Sequence, residues 1–170
     1  MVTIRREEPG DEAAVRAVHH AAFPTHAEAR LVDRLRVGGK ARVSLVAVLD
    51  GQVVGHILFS PVCIAAPVAL CWGLGLAPIA VVPAHQRRGV GSLLITEALA
   101  VCRRLSSAFV VVLGKPGYYS RFGFQRASAV GLSNEYGADE AFMVLELQPG
   151  SLPPIGGLVK YAQEFAELAT

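Results

Sequence analysis

The spacing of apolar residues predicts a strand followed by two helices at the start of the chain. Residues 2–6 alternate in polarity, as a half-buried strand does. Residues 11–22 begin with an aspartate, a good N-cap, and then carry apolar side chains at helical spacing. Thr25 and Glu28 have the spacing of a capping box, which predicts a second helix that ends at Gly38.

The rest of the chain reads as strands interleaved with helices. Asp50 and Gly51 separate two β-rich segments, which is a strong hairpin signal. The predicted strands are residues 44–49, 52–60, 62–65, 70–82, 108–113 and 141–147, and the predicted helices are 89–105 and 118–122. The tail at 158–168 is expected to form a terminal helix or an extended cover. This order predicts a single domain, residues 1–170, of α/β or α+β class around one mixed sheet.

Composition and charge narrow the class of protein. The chain has 170 residues, of which 52% are hydrophobic and 18% charged, and this excludes intrinsic disorder. A net charge of +2 argues against a nucleic-acid binder. The three cysteines have no CxxC spacing, so we expect reduced thiols in the cytoplasm and neither disulfides nor a metal site.

The uncharged segment 51–86 raises the possibility of a membrane span. A spanning helix needs about 20 apolar residues without repeated breakers. Prolines interrupt every such window, and consecutive buried strands explain the run better. The N-terminus has no apolar core of a signal peptide. We therefore expect no membrane association. The interrupting prolines are Pro61, Pro67, Pro78 and Pro83.

Candidate chemistry is concentrated where the strand ending near Val82 meets the next helix. Residues 86–91, QRRGVG, form a short loop with two glycines. Amides at a helix start that permit close approach make a cradle for a pyrophosphate. The sequence lacks GxxxxGK[ST], and Leu94 replaces the third glycine of a dinucleotide fingerprint. A plain strand-to-helix turn with solvated arginines remains the alternative at this stage.

A second segment, GKPGYYSRFGF at residues 114–124, makes the pattern specific. Together the two segments resemble the GNAT superfamily of acetyl-CoA-dependent N-acetyltransferases. The sequence around them resembles the YhbS-like bacterial branch of that superfamily. Its cofactor motif [QR]-x-x-G-x-[GA] matches residues 86–91, its strand L-x-x-[IL]-A-V-x-P matches 76–83, and its Y-x-[KR]-x-G-F matches 119–124. The segments that resemble the YhbS-like branch are residues 55–62, 111–124 and 142–150, so the similarity spans nearly the whole chain.

The resemblance implies a fold and a set of site residues. The fold is a mixed, mostly antiparallel central sheet flanked by helices, in which the strand before the cradle leaves its neighbour so that pantetheine can pair with it. The amide of Val81 would face the thioester oxygen, and Tyr119 would protonate the departing thiolate. No metal is implied. The implied acetyl-CoA-binding residues are Ile79, Ala80, Val81, Gln86, Arg87, Arg88, Gly89, Val90, Gly91, Ser92 and Tyr119.

The sequence does not identify the general base or the amine that accepts the acetyl group. Residues 72–82 contain no carboxylate, and His56 lies in an apolar run that favours a core position. His26 and Glu135 lie in segments that could border the acceptor, or ordered water could suffice. Histidines 19 and 20 are expected on a helix surface.

The predicted activity is acetyl transfer from acetyl-CoA to a primary amine, of a small molecule or of a protein, by direct attack. A homodimer is possible. The alternative is a catalytically quiet CoA-binding or sensing module on the same fold. A nucleic-acid adaptor is supported only by the Arg-Arg pairs of the sequence. Because a pure binder would not need the phenol of Tyr119, this residue favours the enzyme.

Overall fold

The computed structural model of the chain describes residues 1–67 and 70–169. The chain divides into two compact units. The first contains Met1–Phe59, Pro78–Cys102 and the segment that begins at Glu164, and the second contains Ser60–Ala77 and Arg103–Gln163. The helices are α1 Glu12–Ala22, α2 Ala27–Val37, α3 Val90–Arg104 and α4 Pro116–Tyr119. The strands are β1 Thr3–Arg6, β2 Val43–Leu49, β3 Gln52–Ala65, β4 Leu70–Val81, β5 Phe109–Leu113, β6 Gln125–Arg126, β7 Leu132–Asn134, β8 Phe142–Glu146 and β9 Gly157–Lys160.

An antiparallel sheet and three helices form the first unit. β2 pairs with β1 on one side and with β3 on the other. The β2–β3 turn is confirmed as a tight hairpin, because Asp50 and Gly51 both have positive φ, of 49° and 76°. Two left-handed residues match the right-handed twist of the strands they join, which is why Asp-Gly fits this turn.

The helices of the first unit cover opposite faces of β3. A Cβ added at Gly55 would meet the Leu94 side chain of α3 at 3.1 Å. The next residue, His56, instead contacts His19 of α1. Because successive residues of a strand point to opposite faces, α3 lies on one face of β3 and α1 on the other.

The second unit is built around β5, which is buried over Phe109–Val112. β5 pairs with β8 antiparallel and with β4 in parallel, and the register of the parallel pair runs from Leu74–Val110 to Leu76–Val112. β6 adds to β8, while β9 joins the second half of β3 to β7. The four-residue apolar run of β5 is what a strand covered on both faces requires.

Three local predictions differ from the structure. Residues 62–65 continue β3 instead of forming a strand of their own: Pro61 falls between the end of the pairing with β2 at Phe59 and the start of that with β9 at Cys63. The tail, expected as a terminal helix or an extended cover, combines strand β9 with a 3-10 helix. α2 begins at Ala27, whose amide donates to Thr25 Oγ1 at 3.3 Å, so no capping box with Glu28 forms.

The remaining predicted helices and strands lie where the spacing put them, within a few residues. Across residues 1–67 and 70–169, no helix has the length and apolar character that a membrane crossing needs.

Candidate active site

The end of β4 and the turn after it are held together by one side chain. Gln86 Nε2 donates to the carbonyl oxygen of Val81 at 2.8 Å. The Val82 amide donates to the Val54 carbonyl at 2.9 Å, which ties the end of β4 to β3. Pro83–His85 form a single 3-10 turn between these anchors. The chain therefore leaves β4 in a fixed direction and turns directly into the loop before α3.

The backbone of this loop contains two left-handed residues directly before a helix begins. Arg87 has φ 62° and Gly89 has φ 84°, both left-handed. α3 begins at Val90, and its first bond runs from the Leu93 amide to the Gly89 carbonyl at 3.0 Å. The first amides of a helix have no partner within it, and alternating right- and left-handed residues turn successive amides toward one point. These amides can hold a phosphate at the positive end of the helix dipole.

The left-handed conformation of Arg87 is unusual for a residue with a Cβ. It costs about 1–2 kcal/mol relative to the right-handed form. Gly89 carries no such cost, and nothing lies within 4 Å of a Cβ built there. The side chains of Arg87 and Arg88 are exposed, so positive charge is available at the rim. Backbone strain of this kind tends to occur at ligand sites.

Tyr119 lies in the second unit, at the end of α4, and is 7% exposed. Its ring packs edge-on against Phe124, with centroids 5.8 Å apart. Burial, with a smaller effect from Tyr118, raises the pKa of the Tyr119 phenol to about 12. The phenol therefore carries its proton at neutral pH and can donate it.

The neighbouring Tyr118 has different surroundings. It is half-buried, and the Arg121 guanidinium lies 4.6 Å from the centroid of its ring. This contact is a cation–π interaction. Tyr118 packs edge-on against Tyr119, with centroids 5.1 Å apart. The two tyrosines thus differ in burial and in partner, although they are adjacent in sequence.

The remaining candidates are the predicted cofactor segment, residues 79–92, and two residues that could border the amine acceptor, His26 and Glu135. The cofactor segment lies entirely in the first unit, where the Gln86 side chain is hydrogen-bonded to the Val81 carbonyl. His26 is exposed and stacks on His20, with centroids 4.0 Å apart. Glu135 accepts a bond from the Tyr161 amide at 2.9 Å, which gives it a structural partner.

Two histidines, His56 and His19, are fully buried in the first unit. His56 is fully buried with partners at both ring nitrogens, as its apolar run predicted. The expectation that His19 lies on a helix surface was wrong, since His19 is also fully buried. A signal for this was present in the sequence: with Val15, Val18 and Ala22, His19 completes an i, i+3, i+4, i+7 stripe. Within residues 1–67 and 70–169, no three His, Cys, Asp or Glu side chains cluster so as to hold a metal ion.

Comparison with known proteins shows the family. The acetyltransferase (GNAT) domain matches residues 40–126. The chain is 38% identical to the N-acetyltransferase YhbS of Escherichia coli K12 over 164 residues, which is 95% of this chain and 97% of YhbS. The chain belongs to the GNAT acetyltransferase family.

Solved structures of this family support the same assignment. YhbS from E. coli in complex with CoA superposes with a TM-score of 0.89 at 36% identity, covering 96% of this chain and 91% of that one. A GNAT acetyltransferase from Brucella melitensis in complex with acetyl-CoA gives 0.81 at 38% identity, covering 97% and 98%. The GNAT fold expected from the motifs is thereby confirmed, and the chain is an acyltransferase of that family.

Proposed function

We propose that this protein transfers the acetyl group of acetyl-CoA to the nitrogen of a primary amine by direct attack. The observation that carries the proposal is the geometry of residues 81–90. There a side-chain bond fixes the end of a strand to a loop with two left-handed residues, and a helix starts at once. Such a backbone suits a pyrophosphate next to a chain that pairs with the strand.

The cofactor would be held mainly by backbone. Amides of residues 87–92 receive the pyrophosphate, and pantetheine pairs with Ile79–Val81. We propose that β4 and β5 separate beyond the register pair Leu76–Val112 so that pantetheine has room. Pro78 supports this, because a proline cannot donate to a ladder. The CoA-bound and acetyl-CoA-bound relatives support the choice of ligand.

The chemical step needs three groups. The amine nitrogen attacks the thioester carbon, and the amide of Val81 stabilises the negative charge on the oxygen. The carbon–sulfur bond then breaks, and Tyr119 gives its proton to the leaving sulfur. The nitrogen that has formed the new bond loses its extra proton to water, and water returns a proton to the Tyr119 phenolate, so that the products are an acetamide and the CoA thiol. The Tyr119 phenol is protonated before the step, as the role requires, and burial, which raises its pKa to about 12, makes it a weaker acid than an exposed tyrosine.

The alternative function is a module that binds CoA without catalysis. Both functions use the backbone cradle, but only the enzyme needs a buried phenol. We also infer a cytoplasmic location, which rests on the three cysteines and the absence of CxxC spacing.

A screen tests the proposal directly. The protein is mixed with acetyl-CoA and a panel of polyamines, aminoglycosides, amino-acid amides and peptides with free N-termini or lysines. Release of CoA thiol is followed together with the mass of each amine. The expected result is thiol release with an equal amount of amine that has gained one acetyl group. Tight acetyl-CoA binding in calorimetry, with no acetylated amine from any class, would favour the binding module instead.

A further inference from the structure

Four side chains of the first unit, two of them the fully buried His19 and His56, form one hydrogen-bonded chain that runs from the end of β1 across β2 and β3 to α1. Ser44 Oγ donates to Glu7 Oε1 at 2.5 Å. His56 Nε2 lies 2.8 Å from Ser44 Oγ, and His56 Nδ1 lies 2.8 Å from His19 Nε2. The far oxygen of Glu7 is paired with Arg36 Nη2 at 2.5 Å. We call these four residues, Glu7, Ser44, His56 and His19, the relay.

The positions of the protons in the relay follow from the carboxylate at its end. An ionised carboxylate only accepts, so the single hydroxyl proton of Ser44 must point to Glu7. Ser44 Oγ then accepts from His56 Nε2–H. A neutral His56 with its proton on Nε2 has a lone pair on Nδ1, so it accepts from His19 Nε2–H. Each group is thus forced into one orientation by the group before it.

The relay ends on a lone pair. With its proton on Nε2, His19 presents Nδ1 as an acceptor, and within the described part of the chain no group donates to this buried atom. A buried acceptor without a donor is costly, by about 1–3 kcal/mol, so the arrangement calls for an N–H or O–H at this position. The group that fits next to His19 Nδ1 is therefore a hydrogen-bond donor and not an anion.

We propose that Glu7 fixes the protons of the relay so that His19 Nδ1 stays a hydrogen-bond acceptor, and that this atom receives an N–H of the amine acceptor. The proposal rests on the proposed function. The half-buried Phe23 ring lies parallel to the His19 ring, with centroids 5.9 Å apart, and the exposed residues 24–26 follow it. Because Nδ1 is buried, the amine can reach it only after the half-buried Phe23 ring has moved aside. His19 is thus a positioning residue that orients the acceptor.

The surroundings of the relay keep both histidines uncharged. Burial, with a smaller effect from His56, lowers the pKa of His19 to about 3, and burial lowers the pKa of His56. Burial alone would raise the pKa of Glu7, but the nearby Nε2–H of His56, the hydrogen bond from Ser44 and the charge of Arg36 lower it to about 2. The ionisable side chains that face the two histidines are those of Glu7, which follows β1, Arg36 on α2, and His20, which is next to His19 on α1. At neutral pH the lone pair of His19 is therefore available.

Glu7→Gln provides a sharp test, because Arg36 dictates how the new amide is oriented. Arg36 Nη2 needs an acceptor, so the amide oxygen faces Arg36 and the NH₂ group faces Ser44. The NH₂ donates to Ser44, Ser44 donates to His56 Nε2, and His56 Nδ1–H donates to His19 Nε2. Every proton in the relay reverses, and His19 Nδ1 becomes a donor. The substitution has nearly the same shape as the wild type but the opposite polarity at the site.

The first measurement is ¹⁵N NMR of histidine-labelled protein at neutral pH. In the wild type, His19 and His56 are expected as Nε2–H tautomers with unprotonated Nδ1. In Glu7→Gln both are expected as Nδ1–H tautomers. Ser44→Ala is the matched control: His56 Nε2 lies 3.6 Å from Glu7 Oε1 and can turn its proton to the carboxylate, so the wild-type tautomers persist. A wild-type His56 protonated on Nδ1 would overturn the assigned order.

The second measurement is steady-state kinetics with an amine found by the screen. Glu7→Gln should raise the KM for the amine roughly ten- to a hundredfold, because two donors then face each other. The KM for acetyl-CoA should not change. His20→Ala, an exposed neighbour on the same helix, should leave both constants as they are. Reversed tautomers with an unchanged amine KM would overturn the role of His19. A wild type that acetylates no amine would instead refute the proposed function, while leaving the NMR result intact.

Discussion

Gly114 lies against the ring of Tyr119 so closely that a Cβ at position 114 would overlap it, at 2.8 Å from Cδ2. The glycine directly follows β5, and the tyrosine ends the helix that comes next. The absence of a side chain at 114 therefore sets where the phenol can be. Real Cβ atoms essentially never come within 3.0 Å of another heavy atom, so any larger residue must move the ring.

We therefore predict that Gly114→Ala lowers kcat strongly while the protein stays folded and its unfolding temperature falls only slightly. The methyl group displaces the buried Tyr119 ring from its position, and a misplaced acid costs rate while most of the packing remains. Thermal unfolding and kcat are measured on the same preparation. Gly117→Ala, on the same short segment and with open space around its Cβ, is the control. Equal kcat for the two variants would show that the ring position does not matter for turnover.

Removing only the hydroxyl of Tyr119 is the cleaner test of its chemistry. Tyr119→Phe keeps the ring in contact with Phe124, so acetyl-CoA affinity should persist while kcat falls by about 10²- to 10⁴-fold. Calorimetry with acetyl-CoA and steady-state kinetics measure the two effects separately.

Tyr118→Phe is the matched control for that substitution. Its ring keeps the contact with Arg121, and turnover should change little. If Tyr118→Phe instead lost turnover while Tyr119→Phe kept it, the acid would be Tyr118. Near-wild-type rates for both would mean that the thiolate leaves without a protein acid.

The cradle can be tested with two glycines of similar geometry. Gly89 and Gly39 both have positive φ, of 84° and 71°, and both have open space at the Cβ. Valine at either position should cost a similar stability, about 1–2 kcal/mol, because both force a left-handed side chain. Only Gly89→Val should also weaken acetyl-CoA binding, by about tenfold or more, because only Gly89 lies in the backbone segment proposed to hold the pyrophosphate. Equal acetyl-CoA affinity of the two variants in calorimetry would place the cradle elsewhere.

The parts of the structure that sequence predicted well are those set by local chemistry. The Asp50-Gly51 hairpin follows from two residues that tolerate left-handed backbone. The start of α3 follows from Gly89 and the change from strand to helical spacing. Each of these signals is complete within a few residues.

The parts that were missed depend on partners distant in the chain. β9 is a strand because it pairs with Cys63–Ala65, about 95 residues earlier, and nothing in its own four residues requires that. β6 and β7 have two and three residues, too few to show a period. The relay joins Glu7 to Ser44 and His56, and only the place of His19 on the apolar stripe of α1 hinted at it.

The relay also predicts how stability depends on pH. The pKa of His19 is about 3 in the folded protein and about 6.5 when unfolded, so the unfolded chain binds more protons between these values. Stability that is fully present above about pH 6.5 is therefore lost as the pH falls toward 3. His19 alone should lower the free energy of unfolding by about 2 kcal/mol between pH 7 and pH 5. The lowered pKa of His56 acts in the same direction.

Urea unfolding of three proteins at pH 7 and pH 5 isolates that contribution. His19→Gln replaces the titrating ring with an amide that can still donate to His56 Nδ1, so its loss between the two pH values should be about 2 kcal/mol smaller than that of the wild type. His20→Ala removes an exposed histidine from the same turn and should follow the wild type. Glu7, with a pKa of about 2, adds its own loss only below about pH 4.5, outside this window. A His19→Gln variant with the full wild-type pH dependence would mean that folding does not lower the pKa of His19, which would contradict the neutral relay.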